Sequence, residues 1–224
     1  IVSFAYIRYQ TPQYEVSASV LIKDDKKGAG LSELSAFEVL GLLPKSNNID
    51  NEIEILKSRS LMTLVAKELR LNVRYFINKI PLKEERYTNS PVYLRFVDGN
   101  STIYEQEMAF KLHLSRAGEF KLEDGEGTAL GTRKFSEVFH TALGRVSVIP
   151  TNEKELEKLA GKEIEIVVTP LEQVLDGYRR QIKIDPVNKT SSVIMITLKG
   201  PLRDKLEAIV NNLIKQHNAD AIAD

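Results

Sequence analysis

Apolar and polar positions first alternate over YEVSASVLI, residues 14–22, which puts Tyr14, Val16, Ala18, Val20 and Ile22 on one face. A period of two predicts a half-buried strand, because successive side chains of a strand point to opposite faces. The period lengthens after Asn51. Ile53, Leu56, Leu64, Val65 and Leu69 recur at helical spacing up to about Arg70, and Asn51 with Glu54 resembles a capping box. Between these two segments, KDDKKGAG at 23–30 combines charge with glycine and predicts a mobile loop, and a short helix is expected over about 31–43, before Pro44.

From about Asn89 to Thr169 the pattern changes to short alternating runs, PVYLRFV, MAFKLHLS, EFKLE, RVSVIP and EIEIVVT, separated by DGN, AGE and EDGEG. Those separators are turn signals, so the region predicts a small antiparallel sandwich or barrel-like insert. One short charged helix, EKELEKLAG, is expected near 153–161. After Pro170 a helix over LEQVLDGYRR is followed by a strand, QIKID, and then by SVIMITL, whose apolar residues occupy both faces as in an interior strand. Gly200 and Pro201 open a last helix with an apolar stripe of Leu202, Leu206, Ile209, Leu213 and Ile214. The fold class is therefore α+β. An α/β base unit built from residues 10–80 and 170–224 is interrupted by a β-rich insert over 81–169.

Charge removes one class of partner. Lys+Arg and Asp+Glu both number 31, so the chain lacks the global basic field with which nucleic-acid binders release counterions. The absence of cysteine removes disulfides, thiol catalysis and cysteine zinc sites, and leaves the compartment open. The chain begins at Ile1 with IVSFAYIRY, apolar and aromatic residues closing on Arg8 and Tyr9. This has the look of a cut end. Tyr6, Arg8 and Tyr9 have the character of a membrane-helix terminus, where amphipathic rings and a guanidinium settle at headgroup level. The same residues also read as an ordinary first strand.

Catalytic signatures are scarce. No phosphate-binding loop occurs, since Gly161-Lys162 is followed by Glu163, and no G-x-S-x-G elbow exposes a serine. His113, His140 and His217 stand apart in sequence without the i, i+4 pairing of a metal site. Acidic neighbours such as Asp24-Asp25 and Glu84-Glu85 read as solvated loops rather than as a glycosidase pair. The expectation is a non-enzymatic chain with no cofactor and no metal. On the Asn51 to Arg70 helix, Glu52, Lys57 and Arg59 lie outside the apolar stripe, where they either contact a neighbouring protomer or form a solvated face. Tyr87, Tyr93 and Tyr104 in the insert offer rings for sugar stacking, although such tyrosines also serve as core or rim residues.

Three segments in order, TPQYEVSASVLIKDD, IDNEIEILKSRSLMTLVAKELRL and SSVIMITLKGPLRDKLEAIVNNLIKQHNADAI, resemble the Wzz-type polysaccharide chain-length determinants, or polysaccharide co-polymerases. Together they cover a little under half the chain. The first is similar to the family's opening strand after a membrane exit marked by Pro12, the second to its acidic helix, and the third to the strand and helix at the base of a long helical arm. The long β-rich middle departs from the simplest family pattern and resembles the enlarged domains of kinase-fused exopolysaccharide members in Bacteroides-like bacteria.

The resemblance implies a periplasmic domain between two membrane helices, on the periplasmic face of a bacterial inner membrane, with residues 1–9 ending the first helix. It implies homo-oligomeric rings that set the length of capsular, exopolysaccharide or O-antigen glycan. The partners would be the inner membrane, a polysaccharide polymerase or an outer-membrane export channel, and the chain would stop before the full arm, the second membrane helix and any tyrosine kinase. An alternative is a carbohydrate-binding β-sandwich that guides the growing glycan.

Overall fold

A computed structural model describes residues 11–22, 47–78, 82–99, 102–115, 118–188 and 192–223. The expected membrane-interface residues Tyr6, Arg8 and Tyr9, the loop at 23–30 and the helix at 31–43 lie outside them. The described residues divide between two hydrophobic cores, and each core explains one part of the sequence pattern.

The base unit is a three-stranded antiparallel sheet with β1 (Tyr14–Leu21) and β11 (Lys183–Pro186) flanking β12 (Val193–Gly200). The alternation in β1 turns Val16, Ala18 and Val20 toward the core, where each is partly buried. In β12, Ile194, Ile196 and Leu198 are fully buried, whereas Met195 on the other face is exposed. β12 is the interior strand of this sheet, as expected, but among the described residues only one of its faces is covered; the other, expected to be apolar, carries the exposed Met195 and Lys199. Among the described residues, four helices belong to this unit: α1 (Asn47–Leu56), α2 (Arg59–Glu68), α5 (Leu171–Gln181) and α6 (Arg203–Ala223). Helix α6 contributes Leu206, Ile209, Val210 and Leu213 at the i, i+3, i+4, i+7 spacing of a single buried stripe.

The helix expected from Asn51 to Arg70 is two helices. Ser58 has an extended backbone and its Oγ accepts from Leu61 N at 3.2 Å, which caps α2 and separates it from α1. The break rotates the second stripe, so that Leu61, Met62, Val65 and Ala66 are buried while Leu64 is exposed. Helix α2 ends in a Schellman arrangement: Leu71 N donates to Ala66 O at 3.0 Å and Arg70 N to Lys67 O at 3.3 Å. Arg70 takes the left-handed conformation this requires, with φ of 50°. The turn delivers the chain into the second unit.

That unit consists of a six-stranded sheet ordered β3-β2-β10-β5-β6-β7 and a three-stranded sheet ordered β4-β9-β8. The strands are β2 (Val73–Asn78), β3 (Lys83–Arg86), β4 (Val92–Phe96), β5 (Met108–Leu114), β6 (Glu119–Asp124), β7 (Ala129–Lys134), β8 (Val138–Thr141), β9 (Gly144–Pro150) and β10 (Glu163–Val168). Every pairing among them is antiparallel. Two short helices, α3 (Thr102–Glu105) and α4 (Glu153–Lys158), complete it. Phe110, Leu112, Phe120, Leu122, Ile164 and Ile166 of the larger sheet share one core with Val92, Leu94, Val146 and Val148 of the smaller. Residues 73–78, expected with the base unit, instead form β2 of the larger sheet, because Val73, Tyr75 and Ile77 point into this second core. Entry and exit adjoin: Val73 pairs with Val168, and Thr169 N donates to Asn72 O at 2.8 Å.

Tyr75 ties the two sheets together, its hydroxyl accepting from Leu94 N at 3.0 Å. Burial pushes this phenol up to about 12. The folded value lies above the ordinary one of about 10, so the associated stabilisation is complete below pH of about 10 and is lost as the pH rises toward about 12. Alkaline titration followed by tyrosinate absorbance is expected to show Tyr75 ionising only together with loss of the fold. Ionisation of all eight tyrosines near their ordinary value with circular dichroism unchanged would contradict this.

Candidate functional site

The three residues expected at a protomer interface do not act alike. Glu52 Oε2 lies 2.7 Å from Nε2 of His217 on α6, a pair largely withdrawn from solvent. Arg59 lies 2.5 Å from Glu172 and 3.9 Å from Asp176, both on α5. The hydrogen bond from Arg59 to Glu172 raises the guanidinium's already high pKa. Glu52 and Arg59 therefore staple helices within their own chain. Lys57 has no ion pair among the described residues and lines a shallow groove of about 330 Å³ with Asp176, Arg179, Arg180 and Ile182.

Two histidines that stand apart in sequence acquire carboxylates from neighbouring elements. His217 meets Glu52, and His113 Nε2 and Nδ1 lie 3.2 and 3.6 Å from Glu123 and Glu163 on the strands either side of it. Among the described residues no group of three or more His, Asp or Glu is placed to hold a metal ion. The tyrosines of the insert are also engaged. Tyr93 carries the Arg70 guanidinium 4.8 Å from its ring centre, Tyr104 the Lys67 ammonium at 5.1 Å, and Tyr87 the Lys205 ammonium at 5.8 Å. Tyr87 and Tyr104 also pack against the base core, and all three rings hold a cation of the base unit.

The junction between the units carries its own polar pairs. Lys205 at the start of α6 donates to Glu85 of β3 at 2.9 Å, with side chains only 9% and 16% exposed. Beside it, Asp204 accepts from Thr88 N at 3.3 Å and from Thr88 Oγ1 at 2.5 Å. Burial alone would raise the Asp204 carboxyl, but the hydrogen bonds from Thr88 outweigh it and hold the pKa below its ordinary value. Burial also pushes Tyr87 up to about 12, with Tyr178 and Asp204 adding to the effect.

Next to this pair opens a cleft of about 340 Å³ between the units, reached by Arg74, Gln173, Tyr178, Gln181, Lys199 and Lys205. Its wall includes Gly177, inside α5, where an added Cβ would meet nothing within 4 Å. Glycine at an interior helical position costs about 0.5–1 kcal/mol relative to alanine; here it leaves a helix flank open to the cleft. Sequence reasoning missed this site because Glu85 and Lys205 lie far apart along the chain. One signal was present: Lys205 is three residues after Leu202 and four before Ile209, a charge on the edge of the apolar stripe.

Comparison with known proteins adds the following. No curated protein matches. Two crystal structures of FlgL from Xanthomonas campestris overlap the chain at 14% and 12% identity, with TM-scores of 0.23 and 0.22. Each overlap covers 65% of this chain, and 41% and 40% of the FlgL chains; at these scores the likeness carries no structural argument. The match that bears on the base unit is to a family: residues 1–69, which include β1, α1 and α2, are similar to the chain length determinant protein, Wzz.

Proposed function

We propose that the chain is the periplasmic part of a polysaccharide co-polymerase, held at the bacterial inner membrane, which assembles into rings and regulates the length of an exported glycan. The observation that carries this reading is the match of residues 1–69 to the chain length determinant family. The matched β1 and helices α1 and α2 share one core with α5, α6 and the central strand β12, so the base unit of the reading includes the C-terminal segment. Its action is geometric: copies set side by side present a common surface to a polymerase or an export channel, without chemistry or a cofactor in this domain. A cytoplasmic tyrosine kinase on the parent protein fits the same reading through the resemblance of the enlarged insert.

Lys57, with Arg179 and Arg180 beside it, is the expected contact with the next copy, since Glu52 and Arg59 already hold partners in their own chain. Native mass spectrometry of the intact membrane protein, extracted with its lipid, is expected to give a closed ring of several copies. Lys57→Glu is expected to reduce the ring population. A stable monomer in lipid would overturn the reading.

A further inference from the structure

We infer that the cleft between the two units is a binding site for an anionic saccharide, a sugar unit bearing a carboxylate. The choice of a saccharide rests on the proposed function; the negative charge rests on the cleft. Arg74, Lys199 and Lys205 line it against one carboxylate, Glu85. Lys205 is committed to Glu85, and Lys199 lies 2.6 Å from Glu15 in an exposed pair. Arg74 is left with only the Phe76 ring, 5.4 Å from its guanidinium, and no ion pair among the described residues. A guanidinium of this kind can take a carboxylate with two parallel hydrogen bonds.

The remaining groups suit a sugar ring. The amides of Gln173 and Gln181 and the Tyr178 hydroxyl donate and accept, as adjacent hydroxyls on a pyranose require. The volume is at the lower end for ligand pockets and has room for about one or two rings. Gly177 adds room on the helix side of the cleft. A glycine inside α5 weakens the helix, and the space its missing side chain leaves is empty of protein. That space is where the flat of a sugar ring could approach the helix backbone.

The test is an NMR titration of the chain with three probes: a glucuronic-acid disaccharide, its neutral glucose counterpart, and a glucose phosphate. The glucuronate probe is expected to shift the amides of Thr169, Gly177 and Gly200 and to saturate in the millimolar range. The neutral sugar is expected to bind at least about tenfold more weakly, the loss of one charge-assisted contact. Arg74→Gln should weaken glucuronate binding about tenfold, and Gly177→Leu, which fills the cleft with a good helix former, should abolish it. Both variants should melt at or above the temperature of the parent chain. Saturation by glucose phosphate in place of glucuronate would overturn the carboxylate and assign the cleft to a phosphate-bearing sugar.

Absence of shifts with both anions, shifts confined to other surfaces, or unchanged affinity in Arg74→Gln and Gly177→Leu would overturn the inference. Ring assembly is measured separately on the intact protein. A silent titration with rings present refutes the cleft alone, and a monomer with a responsive cleft refutes assembly alone.

Discussion

Replacing Ile196 by alanine is expected to lower the stability of the base unit by about 2–5 kcal/mol. Ile196 is fully buried at the middle of β12, in register with Ala18 of β1 on one side and Ile184 of β11 on the other. It shares its core with Ile209 and Leu213 of α6. Removing its outer carbons leaves a cavity bounded by a central strand that cannot move without disturbing both neighbours. The strand therefore relaxes little, and the cost belongs in the upper half of that range. Urea unfolding should show a lower midpoint with an unchanged slope. Met195→Ala, one residue earlier on the exposed face, is the matched control and should stay within about 0.5 kcal/mol of the parent. If Ile196→Ala behaved like the control, the sheet would not be the centre of the base core. The substitution also bears on the family-like segment: β1 is hydrogen-bonded to β12 alone among the described strands, so loosening β12 loosens β1.

Glu85→Gln is expected to cost about 3 kcal/mol, near the lower end of the range for breaking a buried ion pair. The reason lies in what remains. The Lys205 ammonium is nearly withdrawn from solvent, and without Glu85 it keeps only the edge of hydration and the Tyr87 ring 5.8 Å away. Lys205→Met should cost less. The carboxylate it leaves is the more exposed member of the pair, and the methionine side chain retains the packing of the lysine stem beside Leu206. Combining both substitutions should recover much of the loss, because a buried pair replaced by uncharged side chains is often close to neutral. Calorimetry is the direct measurement. Glu85 belongs to the insert and Lys205 to the base, so Glu85→Gln should also resolve two unfolding steps where the parent is expected to show one. Equal and small effects of the two single substitutions would place the pair in solvent and remove it as a bond between the units.

What could be read from the sequence was whatever local periodicity determines. The strand at 14–22 follows its apolar stripe from Val16 on, Tyr14 being exposed, and the last helix follows its stripe from Leu206 on but begins at Arg203 rather than at Pro201, because Gly200 still belongs to β12. The charged strands were hidden. KEER at 83–86 has no apolar alternation and becomes β3 only because Tyr75, Phe76, Ile77 and Asn78 of β2 offer it a ladder. ALGTRK at 129–134 is likewise held by β6. The division of the Asn51 to Arg70 helix was concealed by spacing: Leu64 continues the first stripe in number but falls outside after Ser58 resets the phase. The cleft left only the charge of Lys205 at the edge of its helix stripe to be read, since its walls come from β2, β3, α5, β12 and the start of α6. Tyr87, Tyr93 and Tyr104 invited a carbohydrate reading through composition. Each carries a cation from its own chain in the structure.

The adjoining entry and exit of the insert have a consequence for how such chains can vary. Asn72 O and Thr169 N are hydrogen-bonded to each other, so the whole excursion from β2 to β10 is a loop whose ends already coincide. Lengthening a loop of this kind adds little closure entropy, since each doubling costs about 0.6 kcal/mol. The excursion could grow, shrink or be exchanged for a short turn with the same two strand ends left to join. The neck thus behaves as a socket, through which the base can keep one architecture while what it carries is free to differ.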